Sequence, residues 1–350
     1  MTQGLERTKL SAADVFSMAV EAERAGNGDR ADQLFVLLGA NLEAAGAELA
    51  RSHETAGRFD QAEAIWRTLM RLRPEDTRIQ CELGRHLLRE GNFTEGFALM
   101  EARDVELSRG VRGRPRLSFP PWRGEPVGSL LVFGEQGLGD QIQFARFVPE
   151  LIARGIDVTL VCGPPLVQLF EPLGARLVPT LAGQPIPKCD AWALSLSLPL
   201  LLGTTLETIP SAPYLPGRSG GSGIGVATRG NPQHANDHNR SLPADAAAAL
   251  MSLPGAVSLH QEDIGSAEFA TTADIIRGLE LVVSVDTAVA HLAGAMGKPC
   301  ILLLPFVPDW RWLRERADTP WYPSMTLYRQ PAPGDWTTVI ERVRLAVPTR

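Results

Sequence analysis

The sequence predicts an α/β protein in which an all-α repeat domain precedes two domains with parallel, doubly wound sheets. Three observations support this fold class. The first 110 residues carry a self-similar helical pattern, and two later segments each alternate short apolar runs with helical stretches. We therefore place helical repeats at 1–110, a linker at 111–128, a first α/β domain at 129–215 and a second, with a closing helix, at 216–350.

The composition is that of a globular chain, with 44% apolar and 21% charged residues. A net charge of −6 and the lack of a long basic run give no reason to expect nucleic-acid binding. The first residues lack the apolar core of a signal peptide, and no apolar run has the length of a spanning helix, so we expect a cytoplasmic protein without a transmembrane segment. The cysteines are scattered, which predicts reduced thiols and no metal site.

The helical pattern at the N-terminus repeats with a fixed period. Four residues recur 34 positions later: Gly57, Phe59, Ala62 and Ala64 return as Gly91, Phe93, Gly96 and Ala98. This shift is the tetratricopeptide period, and the region resembles an array of two to three such units. Stacked repeats present a groove that more often binds peptide or protein than performs chemistry. The alternative is a helical bundle without a groove.

The first α/β domain begins with a strand and a glycine-rich loop. Strands are predicted at 130–133, 158–162, 173–179 and 191–196, with a helix at 140–154 kinked near Pro149. Gly137 and Gly139 permit a tight turn in the loop, which also contains the carboxylate Glu135. No acidic residue occupies the ribose position of a dinucleotide fingerprint, so a nicotinamide cofactor is not expected. Asp140 either caps the helix or points into the cleft where such sheets bind ligands.

The second α/β domain starts with a strand at 224–227 and a polar loop at 228–241. This loop contains Arg229, Asn231 and Arg240, a set of donors that suits an anionic ligand. A solvated loop without a ligand is the alternative. Further elements are predicted as a strand at 257–260 and helices at 273–278 and 336–346.

The most informative stretch runs from Leu279 to Pro305. It predicts a buried strand at 281–285, a turn at Asp286-Thr287, a helix at 288–296 and a second buried strand at 300–304. The free N–H groups and the dipole at the helix start favour an anion, typically a phosphate. The alternative is that Asp286 or Thr287 only caps the helix. Beyond this stretch, Trp310 and Trp312 either flank a flat base or pack in the core.

Three motifs together resemble a known family: GLGDQIQFARFVP (137–149), GNPQHANDHNRS (230–241) and SVDTAVAHLAGAMGKP (284–299). Residues 130–348 resemble the bacterial heptosyltransferase-like glycosyltransferases of family 9, in the version fused to tetratricopeptide repeats. The resemblance implies a GT-B architecture, in which two Rossmann-like domains face each other across a cleft. It also implies a nucleotide-sugar donor as substrate, inverting transfer, no cofactor and no metal.

The resemblance also implies roles for single residues. Asp140 falls on the family's general base, and Thr287, Ala288 and Val289 fall on the amides that hold the donor phosphates. Asp286 would orient the turn or the sugar, and His291 is either a phosphate or ribose contact or a packed histidine.

The chain departs from the family pattern at two points. The family often has glycine where this chain has Ala288. A family lysine that aids the donor phosphates has no clear counterpart, and Arg229 or Arg240 could substitute for it.

Two kinds of acceptor are possible, and a third possibility is that the chain has no transferase activity. The repeats could dock a protein or peptide acceptor, or the acceptor could be a glycan of the lipopolysaccharide type. The third possibility is a non-catalytic scaffold with a degenerate transferase domain.

Overall fold

The structure is a computed structural model that describes residues 10–108, 111–181, 184–217, 220–234 and 236–347. These residues form two compact units. The first contains the described residues up to Leu88 together with Ala98–Arg103, and the second contains Arg89–Phe97 and the described residues from Asp104 onward. The predicted repeat segment at 1–110 is therefore divided between the two units.

The described residues up to Met100 are helical, as predicted, but a short strand at Glu106–Ser108 also falls within the predicted bounds of 1–110. The helices are α1 (Ala12–Arg24), α2 (Gly28–Leu38), α3 (Leu42–Thr55), α4 (Phe59–Leu72), α5 (Thr77–Arg89) and α6 (Phe93–Met100). The helices α4 and α6 begin 34 positions apart, and each follows a glycine with positive φ, +72° at Gly57 and +86° at Gly91. In the first unit the apolar faces of the helices enclose one core, with Phe16, Trp66 and Leu69 fully buried. The assignment to the tetratricopeptide family stays a prediction.

The second unit contains two parallel sheets, which confirms the α/β class. The strands are β1 (Glu106–Ser108), β2 (Val111–Arg112), β3 (Ser129–Phe133), β4 (Asp157–Cys162), β5 (Arg176–Pro179), β6 (Ala191–Leu194), β7 (Ile224–Ala227), β8 (Ala256–Ser258), β9 (Leu281–Val285), β10 (Cys300–Leu304) and β11 (Met325–Arg329). One sheet has the order β5-β4-β3-β6 and the other the order β11-β10-β9-β7-β8. All neighbouring strands in both are parallel, so the carboxyl ends of the strands of each sheet share one edge.

Helices connect these strands. They are α7 (Leu138–Phe144), α8 (Phe147–Ala153), α9 (Val167–Phe170), α10 (Leu198–Leu201), α11 (Asp237–Arg240), α12 (Ala244–Met251), α13 (Gln261–Ile264), α14 (Phe269–Gly278), α15 (Ala288–Ala295) and α16 (Trp336–Ala346). Among the residues described here, no helix is long and apolar enough to cross a membrane.

Several predicted elements differ from the structure. The strand expected at 191–196 ends at Leu194, the strand expected at 257–260 spans 256–258, and the helix expected at 273–278 begins at Phe269. The helix expected at 140–154 is broken between α7 and α8, and the break falls before Pro149. At the break, the Arg146 Nε donates to the Gln143 carbonyl (2.8 Å), which a continued helix would offer to the Phe147 N–H. The strand expected at 173–179 begins only at Arg176, because residues 171–173 form a 3₁₀ turn.

Candidate functional site

The turn between β9 and α15 lies at the carboxyl edge of the second sheet. Its residues, 286–289, are half-buried, whereas the strand before them and the helix after them are buried. Within the described chain, no side chain hydrogen-bonds to the N-terminus of α15, and Thr287 instead contacts the Ser284 hydroxyl at 3.2 Å. The capping alternative is therefore not observed, and the N–H groups of the first turn remain available to an anion.

The polar loop at 228–241 brings one of its three predicted residues to this turn. Arg240 donates from Nη1 to the Asp286 carbonyl (2.9 Å) and from Nε to Asp237 (3.1 Å). Arg229 is 54% exposed and pairs with Glu262. Asn231 is exposed and accepts the Gln233 N–H in a local turn (3.0 Å). Arg240 is thus the cation of this loop that lies beside the turn.

Asp286 has a carboxyl group at the turn with a side chain that is 14% exposed. Burial raises its pKa to about 6, and the negative charge of Asp309 acts in the same direction. A group with a raised pKa stabilises the folded state most while it is protonated. Its contribution to the free energy of unfolding is therefore complete below its unfolded pKa and is lost as the pH rises through about 6.

The glycine-rich loop of the first sheet meets the same turn. A Cβ added to Gly139 would lie 2.9 Å from His291 Cδ2 and 3.3 Å from Ala288 Cα, so only glycine fits this contact without displacement. Asp140 follows immediately and is half-buried. Its Oδ2 accepts the Gly137 N–H at 2.9 Å, so Asp140 contributes to the cap from the third position of α7, although the N-cap residue itself is Gly137. The other carboxylate oxygen of Asp140, Oδ1, takes no part in this cap and contacts a residue from the second sheet's side.

That partner is Arg311, which sequence reasoning did not identify. Arg311 lies in the loop after β10, and its Nη2 forms an ion pair with Asp140 Oδ1. The Asp309 carboxylate accepts a hydrogen bond from Nη1 of Arg311 (2.7 Å). The side-chain oxygen of Gln143 accepts one from Nε of Arg311 (2.6 Å). The only signal in the sequence was the aromatic, arginine-rich composition of residues 305–321.

Two further predicted residues have structural partners. Glu135 is fully buried and accepts the Leu196 N–H at 3.1 Å, so its carboxylate ties the loop to the end of β6. His291 is buried and stacks on Trp312. Its Nδ1 shares a hydrogen bond with the Tyr322 hydroxyl (2.9 Å). Burial lowers the pKa of His291 well below its usual value, and the positive charge of Arg311 adds to this effect. The packed alternative is therefore favoured for His291.

The two tryptophans of the Arg311 loop are also part of the core. Trp310 and Trp312 are 3% and 0% exposed, which favours packing over a role in flanking a base. Trp310 packs edge-on against Phe97 with ring centroids 5.7 Å apart. No cluster of three or more His, Cys, Asp or Glu side chains with metal-ligand geometry occurs in the described segments.

Part of the chain is similar in sequence to known proteins. Residues 256–305, which run from β8 to the residue after β10, match glycosyltransferase family 9 (heptosyltransferase). Protein FlbA of Caulobacter vibrioides (strain ATCC 19089 / CIP 103742 / CB 15) is 24% identical over 337 residues, covering 78% of this chain. The chain spans 56% of the length of FlbA. The family match supports a transferase like those of family 9.

Proposed function

We propose that the chain is an inverting, metal-independent glycosyltransferase of GT-B architecture, which moves a sugar from a nucleotide-sugar to an acceptor hydroxyl. The observation that carries this proposal is the meeting of two elements. Gly139, the neighbour of Asp140, lies against the first turn of α15, so a carboxylate and a set of free amides lie near each other. The family 9 match at 256–305 includes this turn.

In the proposed donor site, the N–H groups of Thr287, Ala288 and Val289 bind the donor phosphates at the start of α15. Arg240 adds a positive charge from the side of the polar loop, where it already holds the Asp286 carbonyl. In this role it takes the place of the family's lysine. These groups stabilise the charge that develops on the leaving nucleotide phosphate.

In the proposed reaction, the acceptor oxygen attacks the anomeric carbon of the sugar and a new C–O bond forms. The bond between that carbon and the phosphate oxygen breaks, and the phosphate leaves with the electron pair. The Asp140 carboxylate takes the proton of the acceptor hydroxyl as general base. The acceptor oxygen and the leaving phosphate lie on opposite sides of the anomeric carbon, so its configuration inverts.

The first test is a thermal-shift panel of the purified protein with ADP-, GDP-, UDP- and CMP-linked sugars and the free nucleotides. A ligand that binds only the folded state raises the melting temperature by mass action. We expect the ligands that contain one particular nucleotide base to raise the melting temperature clearly. No shift with any nucleotide would favour the scaffold alternative.

The role of Asp140 is tested by Asp140→Asn, which removes the base and preserves the size of the side chain. We expect transfer to fall by at least about 10²-fold, while the nucleotide that shifts the wild-type protein continues to bind. Transfer would be measured with a labelled nucleotide-sugar and binding by calorimetry. Full activity of this variant would exclude Asp140 as the base.

We further propose that the helical region docks a protein acceptor. The recurring helices of residues 12–100 support this proposal, because stacked helical pairs commonly bind peptide segments. The full chain would be incubated with a labelled nucleotide-sugar and a cell extract, which is then separated into protein and lipid-linked glycan fractions. Label in protein supports docking, whereas label only in the glycan fraction supports the lipopolysaccharide-type alternative.

A further inference from the structure

Arg311 is bound through each of its side-chain nitrogens. Gln143 holds Nε, Asp309 holds Nη1 and Asp140 pairs with Nη2. The side chain is only 11% exposed. Gln143 and Asp140 lie one turn apart on α7, so this helix presents two acceptors to one guanidinium. A planar guanidinium suits carboxylate and phosphate oxygens equally well, so the group that occupies Nη2 can be exchanged without moving the other two contacts.

The ion pair has a direct consequence for Asp140. Its Oδ2 already accepts the Gly137 N–H, and its Oδ1 faces Arg311. A general base needs an oxygen that can approach the hydroxyl whose proton it removes. In the arrangement observed, each oxygen has one partner, so release of the Arg311 contact would leave Oδ1 open to an acceptor hydroxyl.

The position of Arg311 brings it close to the proposed phosphate site. The residue after it, Trp312, stacks on His291 with ring centroids 5.3 Å apart, and His291 lies in the first turn of α15. Gly139, the neighbour of Asp140, lies against Ala288 in the same turn. The ion pair and the free amides of α15 are therefore connected through the neighbours of both paired residues, Trp312 beside Arg311 and Gly139 beside Asp140.

We propose that Arg311 exchanges its partner when the donor binds. A donor phosphate at the first turn of α15 takes the Nη2 of Arg311, and Asp140 Oδ1 becomes free for the acceptor hydroxyl. Asp309 and Gln143 keep their hydrogen bonds to the other two nitrogens, so the guanidinium stays in place during the exchange. Arg311 is thus a donor-binding residue that also controls when Asp140 is available. This inference rests on the proposed function of the α15 turn as the donor site.

The exchange is tested by a double-mutant cycle on nucleotide affinity. The probes are ADP, GDP, UDP, CMP and inorganic pyrophosphate, and the proteins are the full-length wild type, Asp140→Asn, Arg311→Gln and the double variant. We expect Arg311→Gln to weaken the best probe by about tenfold or more, as the loss of a charge-assisted hydrogen bond predicts. Asp140→Asn should tighten it by about threefold or more, because Arg311 is no longer shared.

The cycle separates exchange from simple repulsion between Asp140 and phosphate. If exchange occurs, Asp140→Asn changes affinity by less than about twofold in the Arg311→Gln background. An equal gain in both backgrounds would overturn the inference and leave the donor site standing. An unchanged nucleotide affinity of the Arg311→Gln variant would also overturn the inference. If the wild type and Asp140→Asn bind none of the probes, the donor site itself is rejected and the inference with it.

Two further variants guard against misfolding. Arg311→Lys keeps the charge between Asp140 and Asp309 but loses the planar fork, so it should fold while still weakening the best probe. Arg314→Gln is the matched control, because Arg314 lies three positions on and pairs with Glu90 at 2.8 Å. It should change affinity by less than about twofold. An equal loss in both arginine variants would overturn the specific role of Arg311.

Discussion

Lys298 is a buried cation at the end of the motif that contains the α15 turn. It is 1% exposed, and its Nζ donates to the carbonyls of Leu279 (2.6 Å), Gly220 (3.2 Å) and Arg277 (3.4 Å). These carbonyls lie at the end of α14 and in the segment before β7. Lys298 therefore satisfies backbone acceptors that would otherwise be buried without a donor, which is a structural role.

We predict that Lys298→Met lowers the free energy of unfolding by about 3 kcal/mol, because buried carbonyls lose a charged donor. The matched control is Lys188→Met, which places the same substitution at an exposed lysine. It should change stability by less than about 0.5 kcal/mol. Both are measured by urea unfolding, and similar stability of the two variants would contradict the role assigned to Lys298.

At the scale of elements, the starts of α7 and α15 lie in contact, one from each parallel sheet. The contact depends on Gly139, whose missing side chain leaves room for His291 and Ala288. Each helix follows a strand at the carboxyl edge of its sheet, where open α/β folds bind ligands. The pairing of these two helices is thus what brings Asp140 to the α15 turn.

We predict that Gly139→Ala separates the two helix starts by a few tenths of an ångström and costs about 1–3 kcal/mol of stability through overpacking. It should also weaken the binding of the nucleotide identified by the thermal-shift panel. Gly28→Ala serves as control, because a Cβ at Gly28, the first residue of α2, meets no atom within 4 Å. If both variants match the wild type in stability and affinity, the contact does not constrain the site.

At the scale of the whole molecule, residues 89–97 pack against the segment at 305–321. Although they fall within the predicted repeats, they belong to the second compact unit. Phe93 stacks on Trp321 (5.6 Å between ring centroids), Phe97 packs on Trp310, and the Arg89 Nε donates to the Pro308 carbonyl (3.2 Å). They thereby support the segment that carries Arg311.

We predict that Phe97→Ala lowers nucleotide affinity as well as stability, because it removes the packing under Trp310 next to Arg311. Phe16→Ala is the matched control, since Phe16 is equally buried but lies in the core of the first unit. It should lower stability without changing nucleotide affinity. Calorimetric titration at a temperature where both variants are folded checks this, and equal affinities would contradict the prediction.

Several elements of the second unit could be predicted from the sequence because their signal is local. The strands at 224–227, 281–285 and 300–304 and the helix at 336–346 were predicted with the bounds that the structure has. Buried parallel strands are continuous apolar runs, and such runs can be recognised without knowledge of their neighbours. β11 was missed because it is an edge strand in which buried and exposed residues alternate.

The sequence by itself determined the α/β class, the all-α N-terminal region and the turn at Asp286-Thr287, since each depends on residues close together in the chain. Only the tertiary structure decided which side chains meet at that turn. Arg311 lies 171 positions from Asp140, and nothing in the local pattern of either residue specifies the other as its partner. Likewise, Glu135 and Asp140 lie five positions apart, yet one carboxylate is buried against Leu196 and the other pairs with Arg311. Ion-pair partners and burial depend on how distant segments pack, whereas apolar periodicity is a property of each segment alone.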